Sequence, residues 1–419
     1  MRGIIVAQSE QVKHITFQKE TSFQFIADRI EWYTMQLFNT LSQSKEVFTP
    51  YKKDTVTMYV CGITPYDTTH LGHAFTYISF DVLVRYLTYK GYNVTYTQNV
   101  TDINDRDNDI LKRAQEQKIT WQELADYWTK HFLRDMKTLN WVMPTNYLKA
   151  SEQIKPMITL IQALLDHHGA YAVGGNVYLD ITRFQQFGKL SKLSHAEMLQ
   201  IAKDFEEDID NPEKKHPLDI TLWRATVKDQ PAHIPSFASP FGPGRPGWHI
   251  ECSAMAIDSL GEQIDIHGGG RDLIYPHHES EIVQSEGATQ KSPFAKYWLH
   301  AGTVSYKGEK MSKSLGNLVM VSDLLKTYSP DSIRWMLINH HYRSSWEYFE
   351  DELKKTQGIM EHVQKRLQGT ASQNTVQTVF DTYMDNDLQL APILDAIAQD
   401  QIPPQQSKYI LTTLGFTLA

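Results

Sequence analysis

Residues 58–74 read MYVCGITPYDTTHLGHA, and this stretch decides the fold. The β-favouring residues that precede Cys61 predict a buried strand, and the Pro-, Asp- and Thr-containing segment 65–69 interrupts it. Apolar residues recur at helical spacing over 75–89, which predicts a helix. The chain is therefore expected to pass from a buried strand through a short turn into a helix N-terminus.

The turn itself is a His-x-Gly-His motif formed by His70, Gly72 and His73. Free backbone N–H groups and the positive end of the helix dipole attract anions at such a position, and a glycine lets a ligand approach the backbone. A phosphate-binding turn is one interpretation. An ordinary strand-to-helix corner with surface histidines is the other, and the motif alone leaves both open because short motifs match by chance.

The rest of the chain predicts a divided sheet domain. A strand over 94–100 completes a parallel strand–helix–strand unit, and strands at 265–267 and 298–301 are expected to extend the same sheet. Helices are predicted over 23–33, 121–139, 152–167 and 348–367, with a hairpin turn at Gly174-Gly175. The predicted division is 1–34, an N-terminal extension without an assigned role; 35–104, the first half of the sheet domain; 105–235, an inserted domain; 236–329, the second half; and 330–419, a helical domain.

Composition sets the broad class of the protein. At 419 residues and 41% hydrophobic content, the chain can bury a large core. Its net charge of −8, from 41 basic and 49 acidic residues, gives no general attraction to nucleic acid. Neither a membrane span nor a secretory signal is visible, so we expect a cytoplasmic protein without a membrane partner. We also expect a monomer.

Cys61 and Cys252 are the two cysteines of the sequence. Together with His277 and Glu281 they form a set of four donors of the types that Zn²⁺ accepts. His277 and Glu281 are four residues apart, so on a helix they share a face. Spacing alone is weak evidence, and two buried thiols, a core histidine and a surface carboxylate remain the alternative interpretation.

A second candidate for phosphate binding is the segment Lys310-Met-Ser-Lys313-Ser, which lies between glycines in a predicted loop. Two lysines and two hydroxyl groups can bind the β- and γ-phosphates of ATP and stabilise charge on departing pyrophosphate. Taken singly, the segment is an ordinary solvated loop.

Together, the His-x-Gly-His turn and the KMSKS segment resemble the paired signatures of the class I aminoacyl-tRNA synthetases. The stretches MYVCG, GRPGWHIECSA (244–254), DIHGGGRDL (265–273), YPHHE and EKMSKSLGN are similar to the cysteine-activating branch of that class. This branch contains cysteinyl-tRNA synthetase and the mycothiol-pathway ligase that joins cysteine to glucosaminyl-inositol. The resemblance covers about residues 35–400. It implies an α/β fold: a Rossmann-like catalytic domain with an inserted α+β connective domain and a C-terminal helical bundle.

The resemblance also implies a role for each matching residue. A zinc ion would be held by Cys61, Cys252, His277 and Glu281 and would bind the substrate thiolate, which separates cysteine from serine better than pocket shape can. The predicted cysteine pocket consists of Gly62, Thr64 and Trp248. The predicted catalytic residues are His70, His73, Lys310 and Lys313, and ATP, with Mg²⁺, would also contact Gly72, Gly268, Gly269, Gly270 and Asp272. The expected reaction is an ATP-dependent, AMP-forming ligation through cysteinyl-adenylate.

Two acceptors of the activated cysteine are compatible with the resemblance. Residues 63–74 and 340–347, and the position at which the chain ends, look closer to the mycothiol-pathway ligases, which favours the amine of glucosaminyl-inositol. Glu281 and the run 265–267 look closer to the synthetases, so transfer to tRNA(Cys) is the alternative. A catalytically silent relative that binds nucleotide or RNA is a remote alternative, because every signature residue is present. A cofactor nucleotidylyltransferase can also carry a His-x-Gly-His motif, but the set of four donors and the lysine segment argue against it.

Overall fold

The structure is a computed structural model that describes residues 34–66, 69–205, 207–311, 315–371 and 379–418. The helix predicted over 23–33 and the predicted catalytic residue Lys313 lie outside these residues. Residues 35–419 form one compact unit.

The strands are β1 (Gln36–Asn39), β2 (Ser44–Val47), β3 (Thr55–Ile63), β4 (Asn93–Val100), β5 (Asn146–Lys149), β6 (Ala170–Val173), β7 (Asn176–Leu179), β8 (Ile220–Ala225), β9 (Gly244–Pro246), β10 (Ile264–Gly270), β11 (Ala295–Ala301), β12 (Val304–Tyr306), β13 (Glu309–Lys310) and β14 (Trp346–Glu347). The α-helices are α1 (Leu71–Tyr89), α2 (Ile110–Gln117), α3 (Trp121–Thr138), α4 (Ile154–Asp166), α5 (His195–Asp204), α6 (Trp248–Leu260), α7 (Glu279–Thr289), α8 (Val321–Leu324), α9 (Pro330–Asn339), α10 (Glu350–Leu367), α11 (Val379–Met384), α12 (Ala391–Ala398) and α13 (Pro404–Thr413).

The central sheet is parallel throughout, in the order β11-β10-β3-β4-β5. The chain builds outward from β3 to β4 and β5, and later returns to the other side of β3 with β10 and β11. The strand order therefore reverses between β3 and β10. In open parallel sheets, ligands bind at the carboxyl ends of the strands beside such a reversal.

Two large hydrophobic clusters stabilise the two faces of this sheet. One cluster contains the apolar residues of α1 together with those of α9, α10, α12 and α13. The other contains residues of α4, α6 and α7. The residues of β3 alternate between the clusters, since Met58 and Val60 belong to the first and Tyr59 and Cys61 to the second. This alternation places Cys61 on the same side of the sheet as α6 and α7.

A separate antiparallel sheet, in the order β6-β7-β8-β9, follows the first half of the central sheet. Its first hairpin turns at Gly174 and Gly175, whose φ values of +59° and +87° favour glycine, as the sequence predicted. We keep the five-part division of the chain as a proposal. The strand pairings cross two of its boundaries, because β5 lies within 105–235 but joins the central sheet, and β9 follows residue 235 but joins the antiparallel sheet.

A buried arginine joins the C-terminal helices to the sheet domain. Arg334, on α9, is 0% exposed and forms an ion pair with Asp81 on α1. Its other nitrogens donate to the carbonyl oxygens of Leu139, 2.9 Å away, and Leu414, 2.7 Å away.

Among the helices that the structure describes, none is long and apolar enough to cross a membrane.

Candidate active site

A cavity of about 350 Å³ lies at the carboxyl ends of β3 and β10, where the strand order reverses. It brings together most of the residues that the sequence analysis selected. Its walls include Cys61, Gly62, Thr64, His70, His73, Trp248, Cys252, Gly270, Asp272 and His277. The predicted cysteine pocket and the predicted phosphate turn therefore line one cavity.

The predicted metal ligands converge at the base of this cavity. The donor atoms of Cys61, Cys252, His277 and Glu281 all lie within 4.8 Å of one another, and all four residues are buried. Glu281 Oε1 lies 3.4 Å from Cys61 Sγ and 3.2 Å from His277 Nε2. Strand β3 supplies the first cysteine and α6 the second. The segment that leads into α7 supplies the histidine, and the first turn of α7 supplies the carboxylate.

The chemistry of this donor set fits Zn²⁺. Two sulfur donors, one imidazole and one carboxylate are ligand types of tetrahedral zinc sites. Burial, followed by the neighbouring Cys252 and Glu281, raises the pKa of the Cys61 thiol well above its usual value, so its charged form needs a nearby cation. Within the described part of the chain, the ion-pair partners of Glu281 are histidines. A divalent cation would compensate these groups, and burial keeps His277 in the neutral form that binds metals by lowering its pKa.

The other side of His277 is held by Trp248, which the sequence analysis placed in the cysteine pocket, and by three groups that it missed. His277 Nδ1 lies 3.0 Å from His249 Nδ1, and His249 Nε2 lies 3.2 Å from Glu207 Oε1. Trp248 stacks on the His277 ring at a centroid distance of 4.6 Å, and the Arg106 guanidinium lies 4.3 Å from the centre of the Trp248 ring. These contacts fix the orientation of the imidazole.

A second donor group lies on the sheet side of Glu281. Glu281 Oε2 is 2.9 Å from His267 Nε2, and His278 Nε2 is 3.9 Å from Oε1. His278 Nδ1 lies in turn 2.7 Å from His300 Nε2. The donor atoms of Cys61, His267, His278 and Glu281 also lie within 4.8 Å of one another. These histidines orient the predicted carboxylate ligand. Sequence spacing alone could not distinguish them from His277 as candidate metal ligands.

Gly62 has a clear structural reason to be glycine. A Cβ atom at this position would overlap the carbonyl oxygen of Asn99 on β4. The Gly62 N–H donates to Asn99 Oδ1 at 2.7 Å, and the register of β3 and β4 shifts between Val60 and Ile63. The backbone of the predicted cysteine pocket is therefore held against β4.

His70 and His73 occupy the first turn of α1, which begins at Leu71 rather than at residue 75. His70 is the N-cap, and its Nδ1 accepts a hydrogen bond from the His73 N–H at 3.3 Å. The two rings stack at a centroid distance of 3.6 Å, which the missing side chain of Gly72 permits, because a Cβ there would lie 3.1 Å from the His70 ring.

Both histidines of the turn are neutral near pH 7. Burial lowers the pKa of His70 to about 4, although Asp272 acts in the opposite direction. Burial, and then the neighbouring His70, lower the pKa of His73 well below its usual value. Neutral imidazoles can donate an N–H to a phosphate oxygen, and His73 Nδ1 is buried without a partner in the described residues.

The predicted nucleotide-binding residues divide into two groups. Gly270 and Asp272 line the cavity, and Lys310 Nζ lies 2.8 Å from Asp272 Oδ2 at its rim. Gly268 and Gly269 are buried in the sheet, where a Cβ would meet the ring of Phe80 or of His278. The structure thus gives these two glycines a packing role, and their contact with a nucleotide stays a prediction.

The segment after the lysine loop pairs with the histidine turn. The Leu71 N–H donates to the carbonyl oxygen of Val319 at 2.8 Å, and the Val321 N–H donates to that of Thr69 at 2.9 Å. Met311 and Leu318 also line the cavity. The two signature segments are therefore neighbours, as a shared nucleotide site requires.

Comparisons with known proteins agree with this geometry. The family described as the catalytic domain of class I (C) tRNA synthetases matches residues 47–358. A cysteine–tRNA ligase from Dehalococcoides mccartyi strain BAV1 is 44% identical over 372 residues, which cover 87% of this chain and 79% of the relative. This chain belongs to the cysteine–tRNA ligase family of class I tRNA synthetases. A second relative of the same name, from Haemophilus influenzae, is 42% identical over 84% of this chain and 76% of its own length.

Family membership confirms the predicted α/β class I synthetase fold and the predicted enzyme class, an ATP-dependent, AMP-forming ligase. Among solved structures, Mycobacterium tuberculosis methionyl-tRNA synthetase in complex with methionyl-adenylate has a TM-score of 0.56. It is 14% identical and covers 87% of this chain and 88% of its own, so it supports the fold alone. The cysteine-activating family is confirmed, while a closer relation to the mycothiol-pathway ligases finds no support in these relatives.

Proposed function

We propose that this protein activates L-cysteine with ATP and transfers it to tRNA(Cys). The observation that carries the proposal is the convergence of a buried two-cysteine, histidine and glutamate cluster with the His70–His73 turn in one cavity. A sulfur-selective metal site beside a phosphate-binding turn matches the activation of a thiol amino acid.

In the first step, the cysteine carboxylate attacks the α-phosphate of ATP, and the bond to the departing pyrophosphate breaks. The neutral imidazoles of His70 and His73 and the N-terminus of α1 donate to phosphate oxygens, and Lys310 offers positive charge at the rim. Trp248, stacked on His277, forms an apolar wall for the substrate side chain. No protein nucleophile is required, because positioning and charge stabilisation lower the barrier.

A zinc ion held by Cys61, Cys252, His277 and Glu281 would supply a thiophilic Lewis acid that distinguishes the cysteine thiol from the serine hydroxyl. In the second step, the acceptor attacks the activated carbonyl carbon and AMP leaves. The relatives named cysteine–tRNA ligase support tRNA as that acceptor. They support it better than glucosaminyl-inositol, the acceptor that the sequence analysis preferred.

Glucosaminyl-inositol remains a second candidate acceptor on one observation, the resemblance of residues 63–74 and 340–347 to the mycothiol-pathway ligases. The two acceptors give different products. Transfer to tRNA forms an ester with a ribose hydroxyl, whereas transfer to the amino sugar forms an amide.

The test offers zinc-loaded protein, ATP and labelled cysteine to an unmodified tRNA with the cysteine anticodon and, separately, to glucosaminyl-inositol. We expect labelled cysteine to form an ester with the tRNA. When labelled serine replaces cysteine, we expect no ester. His73→Ala should abolish the product, while the exposed control His362→Ala should retain it. Amide formation on glucosaminyl-inositol without any charging of tRNA would overturn the proposal.

A further inference from the structure

A second cavity, of about 280 Å³, lies beside the candidate active site and shares none of its lining residues. It opens where β10 and β11 end. The side chains that matter for its chemistry are Thr40, Gln43, Arg271, His300, Tyr342 and Arg343. The segment 270–274 separates the two cavities, because Gly270, Asp272 and Leu273 line the first, whereas Arg271 and Ile274 line the second.

Arg271 brings an uncompensated positive charge to this cavity. Its side chain is exposed, and it has no hydrogen bond or ion pair with any other residue that the structure describes. The neighbouring carboxylate, Asp272, is paired instead with Lys310. An arginine in a concave site without a carboxylate partner is available to bind an anion.

Arg343 supplies a second guanidinium, and this one is held in place. Its Nε donates to Asp387 Oδ2 at 2.7 Å, and its guanidinium lies 4.6 Å from the centre of the Phe38 ring. Asp387 is fully buried and also accepts from the Phe38 N–H and the Tyr342 hydroxyl. The terminal nitrogens of Arg343 make no hydrogen bond to the described residues, so their N–H groups remain available.

Hydrogen bonds also fix the neutral wall of the cavity. The Thr40 hydroxyl lies 2.8 Å from His300 Nδ1, and Gln43 Nε2 donates to the Thr40 carbonyl oxygen at 2.7 Å. With two guanidinium groups and one carboxylate, the cavity has a net positive charge in a protein of net charge −8. This local field differs in sign from that of the chain as a whole.

We propose that this cavity binds a phosphate group. Two guanidinium groups in one concave site match the several acceptor oxygens and the charge of a phosphate, and arginine forks bind phosphate with directional pairs of hydrogen bonds. The phosphate belongs either to the backbone of a bound RNA or to a free phosphate compound. The RNA source rests on the proposed function, whereas the phosphate chemistry itself does not.

The experiment compares wild-type protein with Arg271→Gln, Arg343→Gln and Arg183→Gln. Arg271 is the main test position. Its side chain makes no hydrogen bond or ion pair with the described residues, so its substitution should leave folding intact. Arg183, an exposed arginine of the inserted region, is the matched control. Binding is measured with an unmodified tRNA that carries the cysteine anticodon, at several salt concentrations, and with inorganic phosphate and pyrophosphate. Cysteine-dependent exchange of pyrophosphate into ATP is measured as the readout of the first cavity.

If an RNA phosphate occupies the cavity, Arg271→Gln should weaken RNA binding about tenfold and lower the salt-dependence slope by about 1, with exchange and the Arg183→Gln control unchanged. If the source is free phosphate, Arg271→Gln should remove phosphate or pyrophosphate binding and leave RNA affinity unchanged. Equal binding of all three probes by wild type and both cavity variants would overturn the proposal. If wild-type protein does not bind tRNA, that result counts only against tRNA as the proposed acceptor. The measurements with inorganic phosphate and pyrophosphate still test the cavity.

Discussion

The two cysteines show how far a single residue can be interpreted. Cys61 and Cys252 are isolated in the sequence, yet their sulfur atoms meet at the base of one cavity with His277 and Glu281. We expect Cys252→Ser to lower both the zinc content and the cysteine-dependent exchange of pyrophosphate into ATP, because a serine hydroxyl is a poor zinc ligand. Metal content per chain, measured by mass spectrometry, checks this.

Met255→Leu is the matched control for that variant. Met255 is also fully buried on α6, and the change conserves volume, so zinc and exchange should remain. Full zinc content in Cys252→Ser would reject the assignment of this cysteine as a ligand.

His70 predicts a pH dependence of stability. Its pKa is about 4 in the folded chain, against an ordinary value of 6.5, so the unfolded chain binds more protons in this interval. The free energy of unfolding should therefore fall as the pH is lowered from 6.5 towards 4. His70→Asn keeps a side chain suited to the N-cap and removes this titration, so its stability should fall less steeply.

Denaturant unfolding of both proteins at pH 7 and pH 5 measures the difference. Groups that do not interact with His70 titrate alike in the two proteins, and the comparison cancels them. Because His70 also lowers the pKa of His73, its removal acts on His73 in the same direction. Identical pH dependence of the two proteins would contradict the burial-induced shift at His70.

At the scale of single residues, the sequence indicated the site residues that are rare or stand in a recognisable motif. It missed the residues that hold them in place through hydrogen bonds. Cys61, Cys252 and the His70–His73 turn were found because cysteine is rare here and the turn has a recognisable spacing. His249, His267 and His278 stand in or beside the quoted motifs, but their partners, Glu207, Glu281 and His300, are determined by tertiary contacts. The periodicity of the local sequence carries no information about such tertiary contacts.

At the scale of elements, the end of β3 is built around a close approach of two backbones. Gly62→Ala would place a methyl group on the Asn99 carbonyl, so we expect a loss of about 1–3 kcal/mol in stability and weaker cysteine activation. Thermal unfolding and the exchange assay measure the two effects.

Gly358→Ala is the control for that change. Gly358 lies within α10, has open space where a methyl group would project and carries no positive φ, so alanine should stabilise the helix by about 0.5–1 kcal/mol. Stability equal to wild type in Gly62→Ala would mean that β4 can move away from β3, and the inference of a rigid pocket backbone would be wrong.

Long, periodic elements were predictable. Among the short ones, the sequence indicated the β6–β7 hairpin through its Gly174-Gly175 turn but not β5. The helices α3, α4 and α10 and the strands β4, β10 and β11 agree with the patterns, since each repeats its apolar residues over several positions. β5 has four half-buried residues and no alternation, so nothing local shows that it joins the central sheet. α1 begins before its apolar repeat because His70 caps it.

At the scale of the whole molecule, Arg334 connects three distant parts of the chain. It bonds to Asp81 on α1, to the residue that follows α3 and to the residue that follows α13. Arg334→Ala would leave the carbonyl oxygens of Leu139 and Leu414 without this donor. Among the described residues, Asp81 would keep Arg85 and the Val142 N–H as partners, so we expect a loss of about 3 kcal/mol. Denaturant unfolding measures it.

Arg134→Ala is the surface comparison for that loss. The Arg134 side chain is 59% exposed and pairs with Asp135, so its removal should cost less than about 1 kcal/mol. Similar stabilities of the two variants would show that the buried arginine does not join the helical region to the sheet.

The reversal of strand order between β3 and β10 has a consequence for the order of events during synthesis. Cys61 and Glu281 are separated by 220 positions, so the ribosome must add that many residues before the donor set can close. At ordinary rates of elongation this takes about 10–40 s, during which β3 presents an open edge and a thiol without its partners. The proposed zinc ion would therefore load late in the life of the nascent chain, and its acquisition would report that both halves of the sheet have come together.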